Sequence, residues 1–359
     1  MSVRPLLITA GGTGGHVFPA LAVADYVQAQ DVPVVWLGTR RGLEARLVPA
    51  AGIPIEWLDV AGLRGHGWQR RVLAPLMLLR ALRQALAVLR RVRPRAVLGM
   101  GGFVSGPGGV AARLLRIPLI IHEQNARAGM TNRWLARTCA QRVLTGFPGT
   151  FAQAEVVGNP VRHSIAALPD PVERLAGRAQ GTPRVLVLGG SQGAQALNAL
   201  LPLALARLPA EQRPQVWHQA GAERDVPTQA AYETAGVKAR VEAFIDDMAL
   251  AYGWADVVVC RAGALTVAEL AAAGIGSVLV PYPHAVDDHQ TANAGFLVAA
   301  SAAVLLPQAE LTPERLAQIL GALCADRPRL QAMAVAARAQ AQPDAAQRLA
   351  HYCLELAQP

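Results

Sequence analysis

Short apolar runs recur along this chain, most of them closed by a turn rich in glycine. In the first half they fall at residues 6–10, 32–37, 95–99 and 118–121; in the second, at 184–188, 216–219, 256–260 and 277–281. Runs this short and this apolar suit strands buried on both faces, and the order strand, glycine turn, helix, strand predicts a doubly wound α/β sheet. Residues 19–30 read as the first helix, with Pro19 near its start, and the segment 68–93 holds a long one that would open with Pro75 in its first turn. Turn chemistry at 147–150 and 157–162, followed by Pro169 and Pro171, marks a domain boundary near residue 160. Beyond it, the strand at 184–188 and the turn Gly189-Gly190-Ser191-Gln192-Gly193 repeat the plan with which the chain opens. Two Rossmann-like doubly wound domains facing across a cleft are expected, with a last helix at 344–356 returning to the first.

The glycine turns carry the candidate chemistry. Residues 11–16, 101–109 and 189–193 each follow a strand, where backbone amides can approach a phosphate-bearing ligand. A dinucleotide site is the first thought, yet a G-x-G-x-x-G frame from Gly12 puts Val17 at the third glycine. No Asp or Glu closes the second strand, although Arg40 and Arg41 could serve a 2′-phosphate. A better nucleotide site lies at Arg261-Ala262-Gly263-Ala264-Leu265-Thr266-Val267-Ala268-Glu269. There Gly263 frees the backbone at a helix start, the amides of Ala264 to Thr266 suit a diphosphate, and Glu269 suits a ribose diol. Ligands of open α/β sheets gather at the carboxyl ends of strands, so His16, Ser105, His122, Glu123 and Asn125 are expected on one rim. Residues 282–294 are polar enough to read sugar hydroxyls. Asp287, Asp288 and His289 make a divalent metal conceivable, but no dedicated site and no required cofactor are predicted.

Composition changes this picture in one region. The chain has 359 residues, ample for two domains, and a formal charge of +9. From Val60 to His122 there are eleven arginines and no Asp or Glu. In the helix at 68–93, Arg80, Arg83, Arg90 and Arg91 share a stripe beside Leu78, Leu79 and Leu82, which suits an anionic membrane surface. A nucleic acid would also attract this charge, but no binding motif or aromatic series accompanies it; an ordinary solvated basic face is the third reading. Four scattered cysteines, no signal-like start and no apolar run long enough to span a bilayer lead us to expect a cytoplasmic protein.

Taken together, GGTGGHVFPALAVA, GGFVSGPGG, HEQN, VVGNPVR, GGSQGA, FIDDM, CRAGALTVAEL and DDHQTANA occur in an order that resembles the MurG family of bacterial cell-wall N-acetylglucosamine transferases, over nearly the whole chain. The resemblance implies a GT-B fold. Residues 1–160, with a helix at about 340–359, would face acceptor and membrane, and residues 161–339 would hold the nucleotide sugar. It implies inverting transfer from UDP-N-acetylglucosamine to the C4 hydroxyl of undecaprenyl-pyrophosphoryl-N-acetylmuramyl-pentapeptide, at the cytoplasmic face of the membrane. Cell-wall synthesis proteins would be possible partners, and nucleic acid would not.

The same resemblance carries residue roles. Thr13, Gly14 and Gly15 would lie near the donor sugar and diphosphate, and Asn125 would contact N-acetylglucosamine. Arg162 and Ser191 would face the phosphates, and Ile245 would bond uracil through its backbone. Ala264, Leu265, Thr266, Val267, Ala268 and Glu269 would hold diphosphate and ribose, and Gln290, or its neighbour His289, would read the sugar. Gly102, Ser105, Gly106 and Gly108 would cradle the acceptor pyrophosphate. His16 is the favoured base, since an imidazole titrates near neutrality, and Glu123 is the second choice. One departure is Ala126, where a glycine more usually follows the asparagine. Two alternatives are a GT-B enzyme with another lipid acceptor, such as diacylglycerol, and a non-catalytic UDP-sugar-binding protein.

Overall fold

The computed structural model describes residues 3–59, 68–178, 181–190 and 193–356, and for residues 68–74 and 286 the backbone alone. The chain divides into two compact units: Met1–Arg162 with Gln342–Pro359, and His163–Ala341.

Unit 1 alternates strand and helix. It runs β1 (Leu6–Thr9), α1 (Gly14–Gln28), β2 (Val34–Gly38), α2 (Glu44–Ala50), β3 (Ile55–Trp57), α3 (Trp68–Val92) and β4 (Ala96–Gly99). Then follow α4 (Ser105–Leu114), β5 (Leu119–Glu123), α5 (Met130–Thr138), β6 (Arg142–Thr145) and β7 (Glu155–Val156). The sheet is parallel in the order β3-β2-β1-β4-β5-β6-β7. Leu6 of β1 is in register with Val34 on one side and Ala96 on the other. Winding reverses between β1 and β4, the switch point beside which such sheets bind ligands.

Unit 2 opens with α6 (His163–Ala166) and α7 (Pro171–Ala176), short helices within what reads in sequence as a polar, proline-broken stretch. It continues β8 (Arg184–Leu188), α8 (Gln195–Ala206), β9 (Gln215–Gln219), α9 (Asp225–Thr234), β10 (Arg240–Glu242), α10 (Met248–Trp254) and β11 (Val257–Cys260). After these come α11 (Ala264–Ala273), β12 (Gly276–Leu279), α12 (His289–Ala299), β13 (Ala303–Leu305), α13 (Pro313–Ala325) and α14 (Arg327–Arg338). Its parallel sheet, β10-β9-β8-β11-β12-β13, has the same winding. The last helix, α15 (Ala345–Glu355), belongs to unit 1, where Leu349, Ala350 and Cys353 join Val17, Ala20, Val23 and Ala24 in one core.

Three helix starts differ from the sequence expectation. Helix α1 begins at Gly14, because extended Thr13 caps it and its carbonyl accepts the amides of His16 and Val17. Gly14, Gly15 and His16 are thus the first helical turn, and Pro19 sits inside the helix. The proline ring crowds the carbonyl four residues back, which here belongs to Gly15, a residue with no side chain to restrict adjustment. Likewise α4 begins at Ser105, so residues 105–109 are helix and not loop, and α3 begins early enough to place Pro75 within it. All four cysteines are free. Burial pushes the thiols of Cys260 and Cys324 up to about 12 and Cys353 higher still, so these three are inert packing residues.

Candidate functional site

In unit 1 two glycine turns meet at the carboxyl ends of β1 and β4. Gly102 has φ +83°, and a side chain there would run into the carbonyl of Gly11, so this residue must be glycine for the turns to pack. His16 lies against the second turn. A Cβ on Gly101 would stand 2.7 Å from its Cδ2 and 2.9 Å from its Nε2, while Thr13 Oγ1 is 3.4 Å from Nδ1. Phe18, two residues further on, supports Arg162, whose guanidinium lies 5.5 Å from the ring centroid. A Cβ on Gly14 would stand 3.1 Å from the same ring. Thr13, Gly14, Gly15, His16 and Arg162 therefore gather at the start of α1.

The carboxyl end of β5 carries His122 and Glu123. His122 is fully buried and not on a rim. Its Nε2–H donates to the Gly158 carbonyl at 2.9 Å, its Nδ1 accepts from Gln124 at 3.2 Å, and burial pushes its pKa down to about 4. It is a neutral core histidine. Glu123 is also buried, with both oxygens engaged: Oε1 accepts from the backbone and side-chain amides of Asn125, and Oε2 from Gly129 N–H and Asn132 Nδ2. Four donors commit its lone pairs to shaping the loop that presents Asn125, which suits an organiser and not a base.

Of the expected acceptor cradle, Gly102 and Gly106 are half-buried, whereas Ser105 and Gly108 are interior. Ser105 Oγ accepts from Gly101 N–H at 3.1 Å and lies 3.0 Å and 2.8 Å from the carbonyls of Thr9 and Gly101, fastening α4 to the two turns. A Cβ on Gly108 would press on Leu37 and Thr9 at 3.3–3.4 Å, so this glycine lets α4 settle on the sheet.

On α3, Leu78 and Leu79 are exposed, Leu82 is half-buried, and Ala81, Ala85, Val88 and Leu89 face the core. Arg83 is exposed, while Arg80 pairs with Asp59 at 2.9 Å and Arg91 with Glu56. Half of the four-arginine stripe is thus answered by carboxylates that precede the basic region. Among the described residues no helix is long and apolar enough to cross a membrane.

In unit 2 the start of α11 is bare. Gly263 is the N-cap, and no side chain caps the helix. The first-turn amides, at Ala264, Leu265 and Thr266, have no carbonyl within the helix to bond, and the helix dipole adds partial positive charge there. Glu269, one turn on, is buried and its Oε2 accepts from the Tyr252 hydroxyl at 3.1 Å. Val267 is buried and its amide already donates to the Gly263 carbonyl at 2.9 Å, and Ala268 is half-buried. Ile245 is buried too, and its amide donates to Gln219 Oε1 at 3.3 Å. Gln290 Oε1 accepts from Tyr282 N–H at 2.8 Å, leaving the amide nitrogen of Gln290 as the donor available to a sugar oxygen. Ser191 lies outside the described residues. Among the described residues no three His, Cys, Asp or Glu side chains gather as metal ligands.

Sequence reasoning passed over Glu44, Phe18, Gln219 and Tyr252. Phe18, Gln219 and Tyr252 support site residues, and Glu44 bonds the glycine turn next to them; the buried polar character of Glu44 and Gln219 shows only in the structure.

Two parallel six- or seven-stranded sheets with matching switch points, one carrying a histidine turn and the other a bare helix start, define the GT-B class of glycosyltransferases. The glycosyltransferase family 28 N-terminal domain matches residues 6–144, and the family 28 C-terminal domain matches residues 184–349. A UDP-N-acetylglucosamine–N-acetylmuramyl-(pentapeptide) pyrophosphoryl-undecaprenol N-acetylglucosamine transferase of Alkalilimnicola ehrlichii is 62% identical over 98% of both chains. One of the same name from Nitrosococcus oceani is 60% identical over 99% of both. The crystal structure of Acinetobacter baumannii MurG is 44% identical, with a TM-score of 0.85 over 98% of this chain and 99% of that one. The chain belongs to the MurG family.

Proposed function

We infer that this protein transfers N-acetylglucosamine from UDP-N-acetylglucosamine to the C4 hydroxyl of undecaprenyl-pyrophosphoryl-N-acetylmuramyl-pentapeptide, completing the lipid-linked disaccharide of peptidoglycan. The observation that carries this reading is 62% identity, end to end, to a transferase bearing that name. These relatives do not favour the diacylglycerol and non-catalytic alternatives. The activity places the enzyme in cell-wall synthesis, on which cell shape and division depend.

Within this reading, unit 2 holds the donor. The amides of Ala264 to Thr266 take the diphosphate, Glu269 the ribose and the Ile245 carbonyl the uracil, since its amide is engaged by Gln219. Ser191 and Arg162 complete the phosphate contacts. Asn125 and Gln290, with Thr13, Gly14 and Gly15, contact the sugar. As the glycosidic bond breaks, negative charge grows on the diphosphate, and preorganised amides and a guanidinium stabilise it without reorganising. His16 takes the proton of the attacking hydroxyl. Gly102 and Gly106 contact the acceptor pyrophosphate, while the exposed leucines and Arg83 of α3 rest on the anionic cytoplasmic face of the membrane.

The test is UDP release from UDP-N-acetylglucosamine with and without the lipid-linked acceptor. Acceptor-dependent release is expected, with diacylglycerol inactive. His16→Ala should lower turnover strongly and leave UDP binding nearly intact; near-normal turnover would make His16 structural.

A further inference from the structure

Glu44 closes the first glycine turn from inside the protein. It is the first residue of α2 and fully buried. Its Oε2 accepts from Gly12 N–H at 2.9 Å, and its Oε1 accepts from Thr39 N–H at 3.0 Å and Thr39 Oγ1 at 2.7 Å. Three glycines make the room. A Cβ on Gly11 would stand 2.6 Å from Oε1, one on Gly38 would stand 2.9 Å from Cγ, and one on Gly42 would fall within the carboxylate itself. A second strap joins the Leu43 amide to the Gly12 carbonyl at 3.4 Å. A fully buried carboxylate is costly unless hydrogen-bonded, and here three donors and the first turn of a helix offset that cost.

A glycine turn between a strand and a helix ordinarily presents its amides to an anion from outside. In unit 1 the Gly12 amide is spent inward, and a carboxylate already occupies the turn. Unit 2 differs at the matching position. There the loop from β9 to α9 sets Arg224 beside the turn, with its Cδ 3.1 Å from where a Cβ on Gly193 would lie. At the matching position unit 2 thus sets the arm of an arginine, where unit 1 has a carboxylate.

We propose that Glu44 is a positioning residue that stands, as an internal anion, where a phosphate would otherwise bind, and so holds the turn bearing Thr13 and His16 in shape for the sugar and its proton transfer. The proposal rests on the transfer reaction above. It assigns Glu44 an effect on turnover and none on nucleotide affinity.

Glu44→Gln keeps the size but turns an amide NH₂ toward groups that donate. With the full-length protein and lipid-linked acceptor, kcat should fall roughly tenfold or more while the calorimetric Kd for UDP stays within about twofold, and Glu44→Asp should recover part of the loss. Unchanged kcat in a folded Glu44→Gln protein overturns the proposal, as does a loss confined to UDP affinity. If Glu44→Gln does not fold, Thr39→Val decides, since it removes one of the three donors: lower kcat at unchanged UDP affinity supports the proposal, and unchanged kcat overturns it. Parent protein in the same assay separates the two readings. No acceptor-dependent UDP release from the parent would defeat the transfer reaction itself, whereas an active parent with an equally active variant defeats the role of Glu44 alone.

Discussion

The imidazole of His16 occupies the space that a side chain on Gly101 would need. The two residues are far apart in sequence, yet a Cβ on Gly101 would stand 2.7 Å from the ring. The backbone of Gly101 also has φ +97°, a conformation that costs any other residue roughly 1–2 kcal/mol. Gly101→Ala should therefore both destabilise unit 1 and turn the His16 ring away. We expect kcat to fall tenfold or more, in line with roughly 1.4 kcal/mol per decade, with UDP affinity unchanged. Steady-state kinetics beside a thermal melt would separate the two effects, and full activity in Gly101→Ala would remove His16 from the reaction.

Tyr252 makes the corresponding test in unit 2. Its hydroxyl donates to Glu269 Oε2 at 3.1 Å, and both residues are buried. Tyr252→Phe removes the donor and keeps the ring, so stability should drop by about 1 kcal/mol. If Glu269 receives the ribose hydroxyls, losing the bond that orients it should weaken UDP binding roughly three- to tenfold, as calorimetry would measure. Unchanged affinity would mean that Glu269 is held by its own packing.

The elements that could be read from sequence are those whose signal is local. The eight apolar runs are strands, because a strand buried on both faces has to be apolar along its length, and the start of α11 announces itself by a glycine between a strand and a helix. Helix starts at Gly14 and Ser105 were hidden because glycine and proline speak locally for a turn, while the helix there is imposed by packing on the sheet. His122 resembles Glu123 and Asn125 in sequence, and what separates them is their partners: His122 is held in the core by the Gly158 carbonyl and Gln124, whereas Glu123 ties down the loop that carries Asn125. Glu44 was invisible for a related reason. Its role depends on Gly11, Gly38 and Gly42 converging, and convergence is a property of the fold.

Two buried histidines set a pH response. Burial pushes His122 down to about 4 and His218, bonded to Tyr232 and Asn198, to about 3. In the unfolded chain both titrate near 6.5. Between that value and the folded one, the unfolded state binds more protons, so stability present above pH of about 6.5 is lost as pH falls, by up to about 1.4 kcal/mol per pH unit for each histidine. Melting temperature should hold steady from pH of about 8 to 7 and decline from about 6.5 to 5.5, above the range where carboxylates titrate. His122→Asn and His218→Asn should each flatten that decline, whatever they do to the absolute melting temperature. An unchanged slope in both would show that neither histidine carries the effect.

The exposed apolar residues of α3 lead to the last expectation. Leu76, Leu78 and Leu79 are 66%, 44% and 46% exposed, so the core does not explain them, and Arg83 is exposed beside them. Arg80 already pairs with Asp59, and such an exposed pair stabilises the fold by at most about 1 kcal/mol, so a lipid phosphate can compete for the arginine. Each buried CH₂ contributes about 0.8 kcal/mol to membrane affinity and each basic residue near an anionic surface about 1 kcal/mol. Leu78→Ser with Leu79→Ser should therefore reduce sedimentation with anionic vesicles by well over tenfold, and Arg83→Glu should reduce it in a salt-dependent way. Neither change touches the core, so melting temperature should stay put and transfer to a short-chain, water-soluble acceptor should be retained. If vesicle binding survives all three substitutions, the basic face of α3 is a solvated surface and the membrane contact lies elsewhere.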